Sequence, residues 1–242
     1  MKRGARDSRK AILHAATAEF AARGFAGAGV DRIARAAAVN KAMIYYHFRS
    51  KARLYQEIVR DMFDAVGSRT AAVAASSASP AEKIDAFIDA FASEAAARPH
   101  IPPIMMREAA EGARHLDADS LRAMFAVFAS LRAILTEGAR SRAFKPVDPV
   151  LMYFALVGPI VMYLATAPVR NAIGRLADAG AVGIDPAPFA RHLQARGDVG
   201  LLGDHLREAA RHMLEQGSQR SRAARPRRRA RPRATSPTGA HA

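Results

Sequence analysis

The sequence predicts an all-α fold, and three observations carry that expectation. Apolar residues recur at spacings of three and four along most of the chain. No segment alternates cleanly between apolar and polar at period two, so strand signals are scarce. Ser, Asp and Asn stand ahead of several periodic stretches, where their side chains can accept from the open N–H groups of a helix start.

The elements follow in order. Asp7 or Ser8 caps a first helix with Ile12, Leu13, Ala16 and Phe20 on its inner face, and Gly24 ends it. A short helix runs from about Val30 to Ala36, and a turn covers Ala37 to Val39. Asn40 caps a second short helix through His47. Ser50 caps a longer helix carrying Leu54, Ile58, Met62 and Val66, which stops before the break SSASP at 76–80. Amphipathic stretches follow at 81–97, about 102–114 and 118–141, the last with Leu121, Phe125, Phe128, Leu131 and Leu135. Pro146 and Pro149 bracket another start. Gly, Asp and Pro mark a loop around 178–188, and 201–216 forms a final helix with Leu202, Leu206, Met213 and Leu214. There is no internal repeat of fixed period.

Composition narrows the function classes. The 242 residues include 37 Lys plus Arg against 22 Asp plus Glu, a net charge of +15, and no cysteine. Half are apolar, enough for a sizeable core. Without cysteine there is no disulfide framework, Cys-ligated metal or Cys nucleophile. The excess charge is local: residues 1–51 carry +8, residues 217–242 carry +8, and residues 52–216 carry −1. The chain therefore divides into a basic head (1–52), a neutral helical body (53–216) and an Arg/Pro-rich tail (217–242). The tail has no large apolar residue and reads as disordered. No Gly-rich phosphate loop, G-x-S-x-G elbow or distinctive carboxylate pair points to an enzyme.

The run 149–169 carries no charge over 21 residues and is long enough to span a bilayer. It is the only such run, Gly158 and Pro159 interrupt it, and its flanks show no basic bias. A helix buried at a subunit interface accounts for it equally well, and the expectation is no membrane. The basic N-terminus lacks an apolar signal core, which gives a cytoplasmic expectation.

Residues 8–54 carry the strongest signal. Phe20, Val30, Ile33, Ala34, Val39, Ile44 and Phe48 are spaced to form one small core under three helices, the last two joined by a tight turn. This is helix-turn-helix geometry, in which the third helix enters the DNA major groove. Its outward residues are Lys41, Ala42, Met43, Tyr45, Tyr46 and His47.

This segment resembles the TetR family of bacterial transcription regulators, through the A-I-L-H-A-A…F…G-F opening, V-D-R-I-A, A-A-V-N-K-A-M-I-Y-Y-H-F and the S-K…L that opens the fourth helix. The resemblance covers about a fifth of the chain. M-M-R-E-A-A-E-G-A-R-H-L-D followed by F-K-P-V-D-P resembles one branch more weakly. The resemblance implies double-stranded DNA as partner, with Lys41, Ala42, Met43 and Tyr45 facing bases or sugar. It places Tyr46, His47 and Lys51 on phosphate, and Arg32 near phosphate or guanine. Two departures concern the head's stability. Gly29 stands where a capping Ser or Thr is usual. Ala38 replaces the usual turn glycine, at a cost of ~1 kcal/mol if its φ is positive.

For the body the resemblance implies a helical domain that binds a small-molecule effector and forms a homodimer. A ligand-released repressor on a two-fold operator is the expected function. The rival is a sequence-indifferent DNA-compacting protein driven by the basic ends. Candidate pocket residues are Phe87, Phe91, Ile104, Met105, Arg107, Glu108, Phe125, Phe128 and Tyr153, with Met106, Glu111 and His115 nearby. Candidate dimer residues are Ala155, Gly158, Met162, Leu202, Leu206 and Met213, on two helices that would form a four-helix seam with their mates. Glu111 and His115 share a helix face but lack a third ligand, so neither a metal nor another cofactor is expected.

Overall fold

The computed structural model describes residues 2–178 and 199–215. Among these residues are ten helices and no strand. They are α1 (Lys2–Gly27), α2 (Val30–Ala36), α3 (Lys41–Phe48), α4 (Lys51–Ala75) and α5 (Pro80–Ala97). There follow α6 (Ile101–Ala110), α7 (Ala118–Arg140), α8 (Pro149–Ala165), α9 (Ala167–Asp178) and α10 (Gly200–Leu214). The tail at 217–242 lies outside the described residues, as does nearly all of the loop expected around 178–188.

The head folds by local rules. α1 begins at Lys2, earlier than expected, because Asp7 and Ser8 lie inside the helix and do not cap it. The Ser8 hydroxyl instead meets the His47 ring at 3.1 Å. Gly24 breaks α1 as anticipated, at φ 68 and ψ 176, a conformation that a side chain disfavours. Asn40 caps α3 by accepting from the Ala42 N–H, and Ser50 caps α4 by accepting from Arg53. Ala38 adopts φ 52, so the strain inferred for the turn is present.

One apolar core runs from Phe20, Ile33 and Ile44 in the head to Phe87, Leu131 and Leu156 in the body. α4 joins them: Leu54 and Tyr55 sit under the head, while Phe63 and Val66 pack further into the body. The division expected at residue 52 thus falls in the first turn of α4, and the core is continuous across it. α5 starts with a Ser79–Glu82 capping box. Its buried Lys83 meets Glu137 of α7 at 2.8 Å. Gly138 lets Phe144 pack against α7, since a Cβ there would lie 2.0 Å from the ring.

α8 uses its apolar composition to bury Met152, Leu156, Val157, Ile160 and Leu164 in the protein's own core. Among the described residues no single helix is long and apolar enough to cross a membrane; α8 and α9 meet at a 53° bend. α10 lies along α5, held by Arg207 to Asp89 and by Arg211 to Asp85 at 2.8 Å.

Candidate DNA-binding surface and effector cavity

Ile44 and Phe48 anchor α3 in the head's core and leave the opposite face open. Lys41, Ala42, Tyr45 and Tyr46 are exposed, with Tyr46 at 71 %. Met43 and His47 flank them, half-buried. Six of the eight residues expected to face DNA therefore lie on α3, four of them exposed and two at the margins of its open side. The Lys41 ammonium reaches Asp31 of α2 at 2.8 Å. The hydrogen bond to Asp31 and that carboxylate's charge raise the Lys41 pKa. The pair also neutralises an acid that would otherwise repel phosphate at this surface.

Arg32 and Lys51 are held by the head itself. Arg32 Nε donates to Glu19 at 2.5 Å, and its Nη2 donates to the Gly27 carbonyl. Burial alone would raise the Glu19 carboxyl. The Arg32 hydrogen bond, the Gly29 N–H, and the charges of Arg32 and Arg23 outweigh it and hold Glu19 below its usual range. The same Gly29 N–H contact serves α2, whose N-cap supplies no side-chain acceptor. Lys51 Nζ donates to the carbonyls of Phe25 (2.8 Å) and Ala28 (3.1 Å) and sits over the Phe25 ring. Two of its three donors are thereby engaged, which leaves one for a phosphate.

The body contains an apolar cavity of about 570 Å³ between α4, α5, α6, α7 and α8. Of the expected pocket residues, Phe91, Met105 and Tyr153 line it. Phe87 and Ile104 do not: both are fully buried in the core. Phe125 is exposed, and Phe128 packs between Phe125 (tilted) and Tyr153 (edge-on) with ring separations of 5.3 and 5.7 Å. Arg107 and Glu108 also lie outside the lining. Helical periodicity is the reason: Met105, Met106 and Ala109 take the cavity side of α6, and Arg107 and Glu108 turn toward the head. Met62, Phe63 and Val66 of α4 also line the cavity. Sequence reasoning assigned that helix to packing alone, and only the arrival of α8 opposite them could have revealed the gap.

Beyond the cavity, α6 meets the head through charged groups. Arg107 Nη2 donates to the Ala22 carbonyl at 3.3 Å. Glu108, 2 % exposed, accepts at Oε1 from the Tyr55 hydroxyl (2.7 Å) and faces His115 Nδ1 (2.8 Å). Its Oε2 is buried without a hydrogen-bond partner among the described residues. His115 also stacks on Phe25, with ring centroids 4.3 Å apart. Burial, and then the Glu108 hydrogen bond, push the Tyr55 hydroxyl well above its ordinary pKa. Glu111 lies 3.6 Å from the same imidazole, farther than Glu108.

Ala155, Gly158 and Met162 fall on the outer stripe of α8 beside Leu151 (71 % exposed) and Phe154 (65 %). Leu202 and Met213 of α10 are half-buried. Leu206 departs from the expected seam. It is 4 % exposed because α10 turns Gly203, Leu206, Ala210 and Leu214 inward, so its side chain belongs to the protomer's own core.

A helix-turn-helix head with a bare third helix, continuous with an all-helical body, defines a DNA-binding regulator architecture. Bacterial regulatory proteins of the tetR family match residues 12–58, and the tetracyclin repressor-like C-terminal domain matches residues 80–177. The chain belongs to the TetR family, a class of DNA-binding transcription factors and not of enzymes. It is 36 % identical over 83 residues to the HTH-type transcriptional regulator LmrA of Bacillus subtilis, covering 34 % of this chain and 44 % of that protein. It is 46 % identical over 48 residues to the HTH-type transcriptional repressor SCO4008 of Streptomyces coelicolor, covering 20 % and 25 %. The matches thus span a quarter to under half the length of these two relatives. The solved structure of FadR from Bacillus subtilis, in complex with stearoyl-CoA, shares the fold with a TM-score of 0.60 at 18 % identity. That alignment covers 85 % of this chain and 99 % of that one.

Proposed function

We propose that the protein is a repressor that binds a two-fold DNA site as a homodimer and leaves it when a small molecule fills the body cavity. One observation carries this reading: α6 is a wall of the cavity on one face and a contact with the head on the other. A ligand that displaces Met105 or Met106 moves the backbone that holds Arg107 and Glu108. Those residues hold α1 and the first turns of α4, and so the head. A ligand that prefers the displaced conformation then lowers DNA affinity by that preference.

On DNA, the proposed register places Lys41, Ala42, Met43 and Tyr45 toward base edges or sugar, with Tyr46 and His47 toward phosphate. Lys51 offers its remaining donor to a phosphate at the start of α4. Arg32 reaches phosphate or guanine if it leaves Glu19. Dimerisation uses the outer α8 stripe of Leu151, Phe154, Ala155, Gly158 and Met162, flanked by Leu202 and Met213. Ala155 and Gly158 permit close approach of the two copies. Half-sites then lie about one helical turn apart or a small multiple of it. This role places the protein with the DNA in the bacterial cytoplasm.

The test is a footprint on genomic fragments by protein lacking residues 217–242. A short protected palindrome, released by a cavity ligand, is the expected result. Binding that is indifferent to sequence and steeply dependent on salt would support DNA compaction instead.

A further inference from the structure

We infer that the cavity takes an uncharged, largely hydrocarbon ligand bearing one hydrogen-bonding group that meets the Tyr153 hydroxyl. This rests on the cavity being the effector site. None of its lining residues is Asp, Glu, Lys, Arg or His, so an ionised group inside would have no counter-charge. The nearest cation on α6, Arg107, is turned away to the Ala22 carbonyl. The carboxylate next to it, Glu108, is committed to Tyr55 and His115 on the head side. An anion inside would exchange water for methionine and phenylalanine side chains with nothing in return.

The polar side-chain group in the lining is the Tyr153 hydroxyl. Tyr153 packs edge-on to Phe128 and Phe154, at 5.7 and 5.9 Å, and lines the cavity. Burial in these surroundings pushes its pKa up to about 12, so it stays a neutral donor and acceptor. A ligand hydroxyl, ketone or ester would hydrogen-bond with it inside the cavity.

Methionines 62, 105, 106, 124 and 162 contribute soft, unbranched walls that accept more than one shape. The volume of about 570 Å³ suits a compact lipid-like molecule, either a folded chain or a fused-ring skeleton. Phe154 and Met162 line the cavity from the outer stripe of α8, so the proposed dimer seam closes that side of it.

The experiment titrates the full-length protein with dodecan-1-ol, a neutral steroid alcohol and ionised dodecanoate at pH 8, by calorimetry. At least one alcohol should bind ten times or more as tightly as dodecanoate, and the pair of alcohols separates chain from ring. Tyr153→Phe should weaken that alcohol about three- to tenfold, the worth of one hydrogen bond. Met105→Lys, which places a cation at the wall, should improve dodecanoate binding and so keeps the test independent of the Phe variant. Equal or tighter dodecanoate binding by the unaltered protein overturns the inference, as does failure of both alcohols to bind. An unchanged alcohol affinity in Tyr153→Phe overturns the role of that hydroxyl. DNA release is scored separately: an alcohol that binds without releasing DNA leaves the ligand class standing and refutes the repressor mechanism.

Discussion

Replacing Tyr55 by Phe removes one oxygen and little else. The ring keeps its edge contacts with Phe20 and Phe25, at 4.9 and 5.3 Å. The lost hydroxyl donates to Glu108 at 2.7 Å, and both side chains are shielded from water. Glu108 Oε2 already has no partner, so after the change only His115 serves the carboxylate. A hydrogen bond to a charged group is worth about 1.5–3 kcal/mol. For a chain of this size each kcal/mol moves the melting temperature by about 2–4 °C, so a loss of about 3–12 °C is expected. Circular dichroism at 222 nm measures it at fixed protein concentration. Glu108→Gln supplies the control, because it keeps an acceptor and removes the charge. Tyr55→Phe should cost less in the Gln background, since the partner there is neutral. The same cost in both backgrounds, or a shift below about 1 °C in the native one, would refute a buried carboxylate that depends on Tyr55.

Ala38→Gly should stabilise the protein by up to about 1 kcal/mol, since relief at φ 52 exceeds the added freedom of the unfolded chain; urea unfolding reads this. Gly138→Ala should cost about 1–3 kcal/mol in the same assay, because the new methyl collides with the Phe144 ring. Lys51→Ala should weaken binding to every DNA sequence alike and lower the melting temperature, as it also frees the Phe25 and Ala28 carbonyls. Met43→Ala should shift base preference in a selection from random DNA, and the reverse pattern would show that the docking register is wrong. Glu94 is held low by its hydrogen bonds from Arg69 and Arg98, and Asp117 by hydrogen bonds from the Ser120 N–H and hydroxyl. Folded-state pKa values below the unfolded ones give stability that is present at neutral pH and lost as pH falls through the lowered values. Unfolding midpoints should therefore fall as pH drops below about 4, and Glu94→Gln should flatten part of that slope.

From Gly24 to Ser50 the head was legible almost to the residue because its boundaries are set locally, whereas the start of α1 was not. Asn40 and Ser50 act within three residues of themselves, and Gly24 acts on its own φ. Ala38 was recognisable as strained through the family resemblance, because a glycine usually holds that place in the turn. The partners of charged groups were not legible. Arg32 and Lys51 read as phosphate ligands, yet the carbonyls they meet at residues 25, 27 and 28 become available only where α1 breaks and the chain turns. In the body, Phe87 and Phe91 are one helical turn apart and chemically identical. Only the neighbours of α5 decide that the first is core and the second lines the cavity. Leu202 and Leu206 differ in the same way, through the side of α10 that faces α5.

In the proposed ligand release, the joint at α6 connects the cavity to the head without a long relay. The helix has ten residues and so spans about 15 Å. It is too short to bend appreciably, so a push on one side is felt on the other. Met105 and Met106 are flexible and absorb small displacements by changing rotamer. A ligand small enough to be accommodated that way leaves α6 in place. One that exceeds their slack shifts the helix, and the contacts at Ala22 and Tyr55 must move with it or break. The Glu108 contact is the stiffer of the two: its carboxylate is enclosed, and leaving Tyr55 would leave Oε1 with His115 alone beside an Oε2 that already has no partner among the described residues. The lower-energy course is for Tyr55 and the start of α4 to follow, carrying Lys51 with them. A hundredfold loss of DNA affinity requires about 2.7 kcal/mol of preference for the shifted state, within the range of ordinary allosteric coupling. Under the proposed ligand release, methionine slack on one face and a tightly held carboxylate on the other make the response depend on ligand size, with a threshold set by the side chains at 105 and 106.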